Sequence, residues 1–406
     1  MTTIEQQDAA ELRARMVAGI DELGLGYLRL ARVGEAMLTV ERHRFVPHVS
    51  LADAYADRAV TTKPGQPGQQ PQSCASQPSI VAMMLDQLDP KPGGRILEIG
   101  AGTGYNAALL AELVKPAGHV VTIDVTPEVT AGARAALDAT GYDRVHVVTG
   151  DGAEGVPESA PYDGIIVTVG PWDLPPAWTA QLVEGGRLVV PLKFRGNSRG
   201  IVFVKDGQIL RATSSRLCGF IPMTGPKQDG ERRGQLDTEG EITLTWDLDQ
   251  QIDTAELAGV LDRPAGVIWT GTVMRYASPF DGLWLRLAAD EPRACRLTVG
   301  NGATAVIEAP VIPARTPAVV GTGSLAYLVQ REIAADVDGT RRFELGAAAY
   351  GSTDPAERLR THIQAWDADR DAHPTIYAYP ADTPTEDLPC GGLIDKPSNR
   401  LVISYS

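Results

Sequence analysis

Apolar runs of membrane-spanning length, cysteine pairs, histidine clusters and an excess of basic charge are all missing from this 406-residue chain. No stretch approaches the ~18–20 consecutive apolar residues that a bilayer-spanning helix needs, so no membrane partner is expected. The opening fifteen residues are polar and mixed in charge, without the basic start, apolar middle and small-residue cleavage site of a secretory signal. A cytoplasmic location is the expectation. Cys74, Cys218, Cys295 and Cys390 lie far apart with no CxxC pair, and the six histidines do not cluster with them. A structural zinc site or disulfide framework is therefore not expected. The 37 Lys and Arg are outnumbered by 51 Asp and Glu, for a formal net charge of −14. Because Lys and Arg dominate contacts to a phosphate backbone, nucleic acid is not expected as the main partner. Residues 231–406 hold −10 of that charge, from 16 basic and 26 acidic side chains. Such an imbalance fits either a basic peptide partner or a solvated acidic surface.

What is present is a globular composition, 43% hydrophobic and 22% charged, long enough for two or three domains. Residues 8–40 carry helical periodicity through Leu12, Met16, Ile20 and Leu23, then Val33, Met37 and Val40, with a glycine-containing break between. Residues 63–72 are rich in Pro, Gly and Gln, which predicts an irregular loop. A buried helix is predicted from Pro78 to Pro90. Between 95 and 205, β-branched runs at 95–99, 120–125, 145–148, 164–169 and 187–191 alternate with helical segments near 104–114, 127–140 and 173–183. This alternation predicts right-handed βαβ units and a mostly parallel sheet. Residues 225–230 read as a domain boundary. Beyond it, strands are predicted at 241–248, 266–273, 283–287, 296–299, 305–307, 325–331, 375–379 and 401–405. A helix is predicted after Ser352-Thr353-Asp354-Pro355, with Leu359, Ile363 and Trp366 on one face.

The chemistry concentrates at Glu98-Ile99-Gly100-Ala101-Gly102-Thr103-Gly104-Tyr105, where a strand runs into a glycine turn and then a helix. Glycines let the backbone approach a ligand, and the helix start presents free N–H groups. The spacing is not the G-x-G-x-x-G of a dinucleotide site. A carboxylate at 98 would repel a pyrophosphate but suits the ammonium of S-adenosylmethionine. Asp124 ends the next strand, at the distance where an acid can bind both ribose hydroxyls. Asp151-Gly152 follows the third strand, where an adenine amino group could be read. Each aspartate taken singly is equally consistent with a turn or cap.

With these residues in order, the chain resembles the protein-L-isoaspartate O-methyltransferase family over roughly residues 30–225. The resemblance rests on Arg44-Phe45-Val46-Pro47, Ala54-Tyr55-Ala56-Asp57, Ser76-Gln77-Pro78, the glycine turn, Gly150-Asp151-Gly152, the run 162–168, Gly185-Gly186-Arg187-Leu188-Val189-Val190-Pro191 and Phe220-Ile221-Pro222. It implies an α/β, class I Rossmann-like methyltransferase with a mostly parallel sheet, N-terminal helices and an additional C-terminal α+β domain. The implied domains are 1–90 (helices and substrate loop), 91–228 (cofactor core) and 229–406 (accessory). S-adenosyl-L-methionine would be held by Ser76, Glu98, Gly100, Gly102, Thr103, Gly104, Asp124, Val125, Asp151 and Gly152. Ser76 would also be catalytic, orienting the acceptor carboxylate; its place before Pro78 also allows a helix cap, and both roles could hold. Cys74, Gln77 and Trp172 are the candidate substrate contacts. Cys74 stands where relatives carry a hydroxyl, and Trp172 reads as a stacking wall or as an interface plug.

A further ~180 residues follow Pro222. This looks like the homologues that tailor ribosomally made, post-translationally modified peptides (RiPPs), notably lanthipeptides and graspetides. The implied partner is a macrocyclic precursor peptide whose Asp side chain is methyl-esterified, then converted to an aspartimide and on to isoAsp. General isoaspartyl repair is the alternative. A monomer without metal is expected.

Overall fold

In the computed structural model, residues 3–65, 71–224, 230–300, 302–303 and 307–405 are described. Residues 66–70 of the expected loop, 225–229 of the expected boundary and 305–306 of an expected strand lie outside them. The chain divides into two units, one of Met1–Leu192 with Ser198–Gln228, the other of Lys193–Asn197 with Asp229–Ser406.

The first unit opens on helices α1 (Thr3–Glu22), α2 (Ala31–Thr39) and α3 (Leu51–Tyr55). A hairpin of β1 (Val60–Lys63) and β2 (Ser73–Ala75) leads into α4 (Pro78–Leu88). Proline at the first position of α4 costs no hydrogen bond, and Val81, Met84, Leu85 and Leu88 bury its apolar surface. There follow β3 (Arg95–Ile99), α5 (Tyr105–Val114), β4 (His119–Asp124), α6 (Pro127–Ala139), β5 (His146–Thr149), β6 (Tyr162–Val167), α7 (Pro176–Gln181) and β7 (Leu182–Phe194). Strands β8 (Asn197–Asp206) and β9 (Ile209–Leu217) form an antiparallel hairpin. The strand order is β9-β8-β7-β6-β3-β4-β5, with β3, β4, β5, β6 and β7 paired parallel. The order reverses around β3, so its carboxyl end opens a crevice at the topological switch point.

In the second unit, β10 (Glu231–Gln235), β11 (Ile242–Asp247), β12 (Gly266–Arg275), β13 (Ala294–Val299), β14 (Thr316–Gly321), β15 (Ser324–Ile333) and β16 (Arg342–Tyr350) form an antiparallel sheet of order β10-β11-β13-β14-β15-β16-β12. Helices α8 (Asp281–Asp290) and α9 (Asp354–Ala368) pack against each other, and β17 (Thr375–Pro380), β18 (Gly392–Asp395) and β19 (Asn399–Ser404) pair as β18-β19-β17. The strand expected at 283–287 is helix α8 instead. Leu283 and Leu287, four apart, enter one apolar cluster with Leu359 and Ile363 of α9. A short apolar run has no period that separates a buried strand from a buried helix. The helix expected at 173–183 shrinks to α7, because Pro175 and Pro176 delay its start and Leu182 already belongs to β7. Among the described residues, no helix is long and apolar enough to cross a membrane.

Candidate active site

The glycine turn sits at the carboxyl end of β3. Gly100 adopts φ +100°, and a Cβ there would stand 2.7 Å from Thr168 Oγ1. Only glycine fits both constraints. The Thr168 hydroxyl donates to the Gly100 carbonyl at 2.7 Å, and the Gly100 N–H donates to the Ile123 carbonyl at 2.8 Å, fixing the turn to β4 and β6. Gly104 caps α5 with φ +84°, and Thr103 Oγ1 accepts the Tyr105 N–H at 3.4 Å. On the neighbouring strand end, half-buried Asp124 accepts the Thr126 N–H at 3.0 Å and the Gly102 N–H at 3.5 Å. Val125 is 50% exposed, an open apolar side chain beside it. One strand further, exposed Asp151 accepts the Ala153 N–H at 2.9 Å, and the buried Gly152 offers its carbonyl to Trp178 Nε1 at 2.8 Å.

The Ser-Gln-Pro segment is far from this turn in sequence and next to it in space. In the β1–β2 hairpin Cys74 lies opposite Thr61, and its carbonyl oxygen is 3.6 Å from the point where a Cβ on Gly102 would stand. Strand β2, which carries Cys74 and ends one residue before Ser76, therefore passes over the glycine turn. Arg42 holds it there. This side chain has no exposed surface, and its guanidinium donates to the carbonyls of Ala54 (2.9 Å) and Ser76 (2.8 Å). It also lies 4.9 Å from the ring centroid of Tyr105, the first residue of α5. Burial pulls its pKa below the ordinary arginine value, with Tyr105 the largest opposing influence.

Ser76 is half-buried, and among the described residues its hydroxyl makes no hydrogen bond, so it is not the helix cap. The cap position belongs to Gln77, and the capping carboxylate comes from Asp57, which accepts the Ser79 N–H at 2.8 Å. The Gln77 amide donates to Asp57 (3.0 Å) and Ser79 (2.9 Å), so this expected substrate contact is engaged within the fold. Burial pushes the Cys74 thiol pKa up, Arg42 notwithstanding, which keeps it protonated rather than nucleophilic.

Two further expectations change. Glu98 is 1% exposed, with one carboxylate oxygen accepting from Asn106 Nδ2 (2.8 Å) and the other from Thr122 Oγ1 (2.7 Å). It braces the turn from beneath instead of facing a ligand openly, and burial pushes its pKa up to about 7. Trp172 is 2% exposed and offers no face on which a peptide could stack. Arg42 was missed because, in the run Arg42-His43-Arg44-Phe45, nothing local separates a buried arginine from the exposed Arg44.

The family model of protein-L-isoaspartate(D-aspartate) O-methyltransferase matches residues 20–228, just over half of the chain. The chain belongs to this family. It is an S-adenosylmethionine-dependent enzyme. Relatives include the Protein-L-isoaspartate O-methyltransferase of Methanopyrus kandleri, 44% identical over 52% of this chain and 91% of its own length. That of Hyperthermus butylicus is 40% identical over 58% and 97% respectively. A solved protein-L-isoaspartate O-methyltransferase with 20% identity and a TM-score of 0.51 is matched over 97% of this methyltransferase and 99% of its own chain. That likeness shows the fold over both units.

Proposed function

We propose that this methyltransferase esterifies the free carboxylate of an isoaspartyl residue in a peptide or protein. The observation that supports this most directly is the approach to Gly102 of the Cys74 carbonyl, two residues before Ser76, the residue to whose hydroxyl we assign orientation of the acceptor. The residues present fit the cofactor. The glycine turn leaves backbone free for close approach, half-buried Asp124 suits the ribose hydroxyls, exposed Asp151 the adenine amino group and open Val125 the ring face. Thr103, Gly104 and Gly152 complete the frame, with Glu98 fixing it from below.

When bound, S-adenosylmethionine supplies an activated methyl group on a sulfonium. An aspartyl or isoaspartyl carboxylate, with a pKa near ~4, is already ionised at pH 7, so the chain need not provide a base. The Ser76 hydroxyl, unengaged among the described residues, donates to one carboxylate oxygen and leaves the other in line for the methyl carbon. Such positioning supplies much of a barrier reduction. In the ester formed, the following backbone nitrogen attacks the carbonyl carbon, the methoxide leaves with the nitrogen's proton as methanol, and a five-membered imide closes. Water then opens it to Asp or isoAsp.

A second reading, an ordinary Asp in a macrocyclic modified peptide, is favoured by Cys74, whose thiol is a weaker donor than a hydroxyl for gripping an isoaspartyl backbone. Mass spectrometry of the protein with cofactor and two matched linear peptides separates the two. Methyl ester on the isoAsp peptide alone supports repair-type chemistry. Cofactor binding with neither peptide modified supports the shaped substrate.

A further inference from the structure

The second unit is acidic as a whole, yet one face of its large sheet collects cations. Arg233, Thr245 and Arg296 stand in register across β10, β11 and β13, and Thr243 pairs with Thr298 on the same face. Ile242, Leu244, Trp246 and Leu297 alternate to the opposite, buried face. At the other end of this sheet α9 packs over β12, β14, β15 and β16, and the polar stretch begins where that cover stops. Arg296 donates to the Gly196 carbonyl (3.1 Å) and Thr245 Oγ1 (3.3 Å), and Lys193 Nζ approaches Glu231 at 3.7 Å.

The charges do not balance. Arg296 lies within electrostatic reach of Lys193, Arg233 and Arg315, with Glu231 shared between Lys193 and Arg296 and Asp247 already held by Arg195. Arg233 and Arg315 are exposed, and neither forms an ion pair among the described residues. Burial lowers the pKa of Arg296, and the neighbouring cations Arg233 and Arg315 lower it further against Glu231 and Asp247. In a region with ten more acids than bases, leaving these arginines without carboxylates is a local reversal of the prevailing charge. Strand β10 is also the edge of its sheet, so its outer backbone groups are open to an added strand.

We propose that this face docks an extended acidic segment of the peptide substrate, with the β10 edge meeting its backbone, the exposed Arg233 and Arg315 meeting its carboxylates, and Arg296, held by the Gly196 carbonyl and Thr245, adding positive potential behind them. The proposal rests on the peptide-methylating reading above, and the test keeps the two apart by measuring binding without cofactor. Two fluorescein-labelled peptides are compared by anisotropy on the full chain, each with one isoAsp and differing only in a flanking run of Glu or Gln. The Glu peptide is expected to bind roughly tenfold more tightly at about 50 mM salt, with the advantage shrinking at about 500 mM. The double variant Arg233→Glu/Arg315→Glu should erase the preference, and its thermal unfolding checks that the fold survives. Equal affinity for both peptides, or a preference untouched by salt and by the double variant, overturns the docking face. Binding of the Glu peptide without methyl transfer to either peptide, once cofactor is added, leaves the face standing and removes the reaction.

Discussion

Arg42 donates to the Ser76 carbonyl at 2.8 Å from a guanidinium that is wholly buried and, among the described residues, has no carboxylate bonded to it. Its charge is instead met by carbonyl dipoles from two segments and by the face of Tyr105, which ties the acceptor strand to the start of α5. A lysine offers a point charge and cannot span those acceptors. Arg42→Lys should lower kcat by ~10–100-fold through a misplaced Ser76 while changing cofactor affinity little. Stability should fall by about 2–4 kcal/mol. Steady-state kinetics with calorimetric titration of S-adenosylmethionine checks this, and an equal loss of cofactor affinity would move Arg42 into the cofactor site.

Ser76 is the converse case, a hydroxyl without a hydrogen-bond partner among the described residues. Ser76→Ala therefore should not disturb stability by more than about 0.5 kcal/mol. Methyl transfer should slow by ~10–100-fold, with the dissociation constant of S-adenosylmethionine unchanged. A variant as active as the parent would strip Ser76 of its role.

The glycine turn was legible in the sequence because everything that defines it is local. The β-branched run, the positive-φ glycines and the helix start lie within eleven residues, and Asp124 and Asp151 follow at strand ends. The proximity of Cys74 to Gly102 was not legible from residue patterns, because it depends on the β1–β2 register and on a buried arginine that looks like any other in one dimension. Burial is likewise a property of the finished packing. Trp172 and Gln77 have the chemistry of substrate contacts, and only the fold shows the ring covered and the amide spent on Asp57 and Ser79. Apolar strands such as β14 and β16 lacked the alternation that marks a one-sided strand, since helix and core cover them from both faces.

In the second unit Arg195 is 4% exposed, adopts φ +49° and forks onto Asp249, with Nη2 to Oδ2 at 2.7 Å. Its backbone N–H donates to the fully buried Asp247 at 2.8 Å. Removing Asp249 takes away the forked contact and leaves the buried cation only the more distant Asp247, 3.7 Å away. Asp249→Ala should destabilise the protein by about 3–5 kcal/mol. Urea denaturation reads the loss, and a change below about 1 kcal/mol would mean that water replaces the carboxylate.

Glu98 makes the stability of this methyltransferase depend on pH in a direction opposite to that of most carboxylates. Burial, with a smaller push from Asp124, raises its pKa from 4.5 to about 7 against the hydrogen bonds from Thr122 and Asn106. Between those values the native state keeps a proton that the unfolded chain has released. Stability therefore falls as pH rises through that window, because the native state binds more protons. The contribution is fully present below about pH 4.5 and is gone once pH exceeds about 7. At 1.36 kcal/mol per pKa unit it amounts to about 3 kcal/mol. Glu98→Gln removes the titrating group while retaining much of the shape, so other ionisations cancel when variant and parent are compared. Between about pH 5 and pH 8, urea denaturation should show the parent losing about 2–3 kcal/mol more than the variant. Parallel declines would mean that the carboxylate stays ionised throughout, stabilised by the turn it braces rather than penalised by its burial.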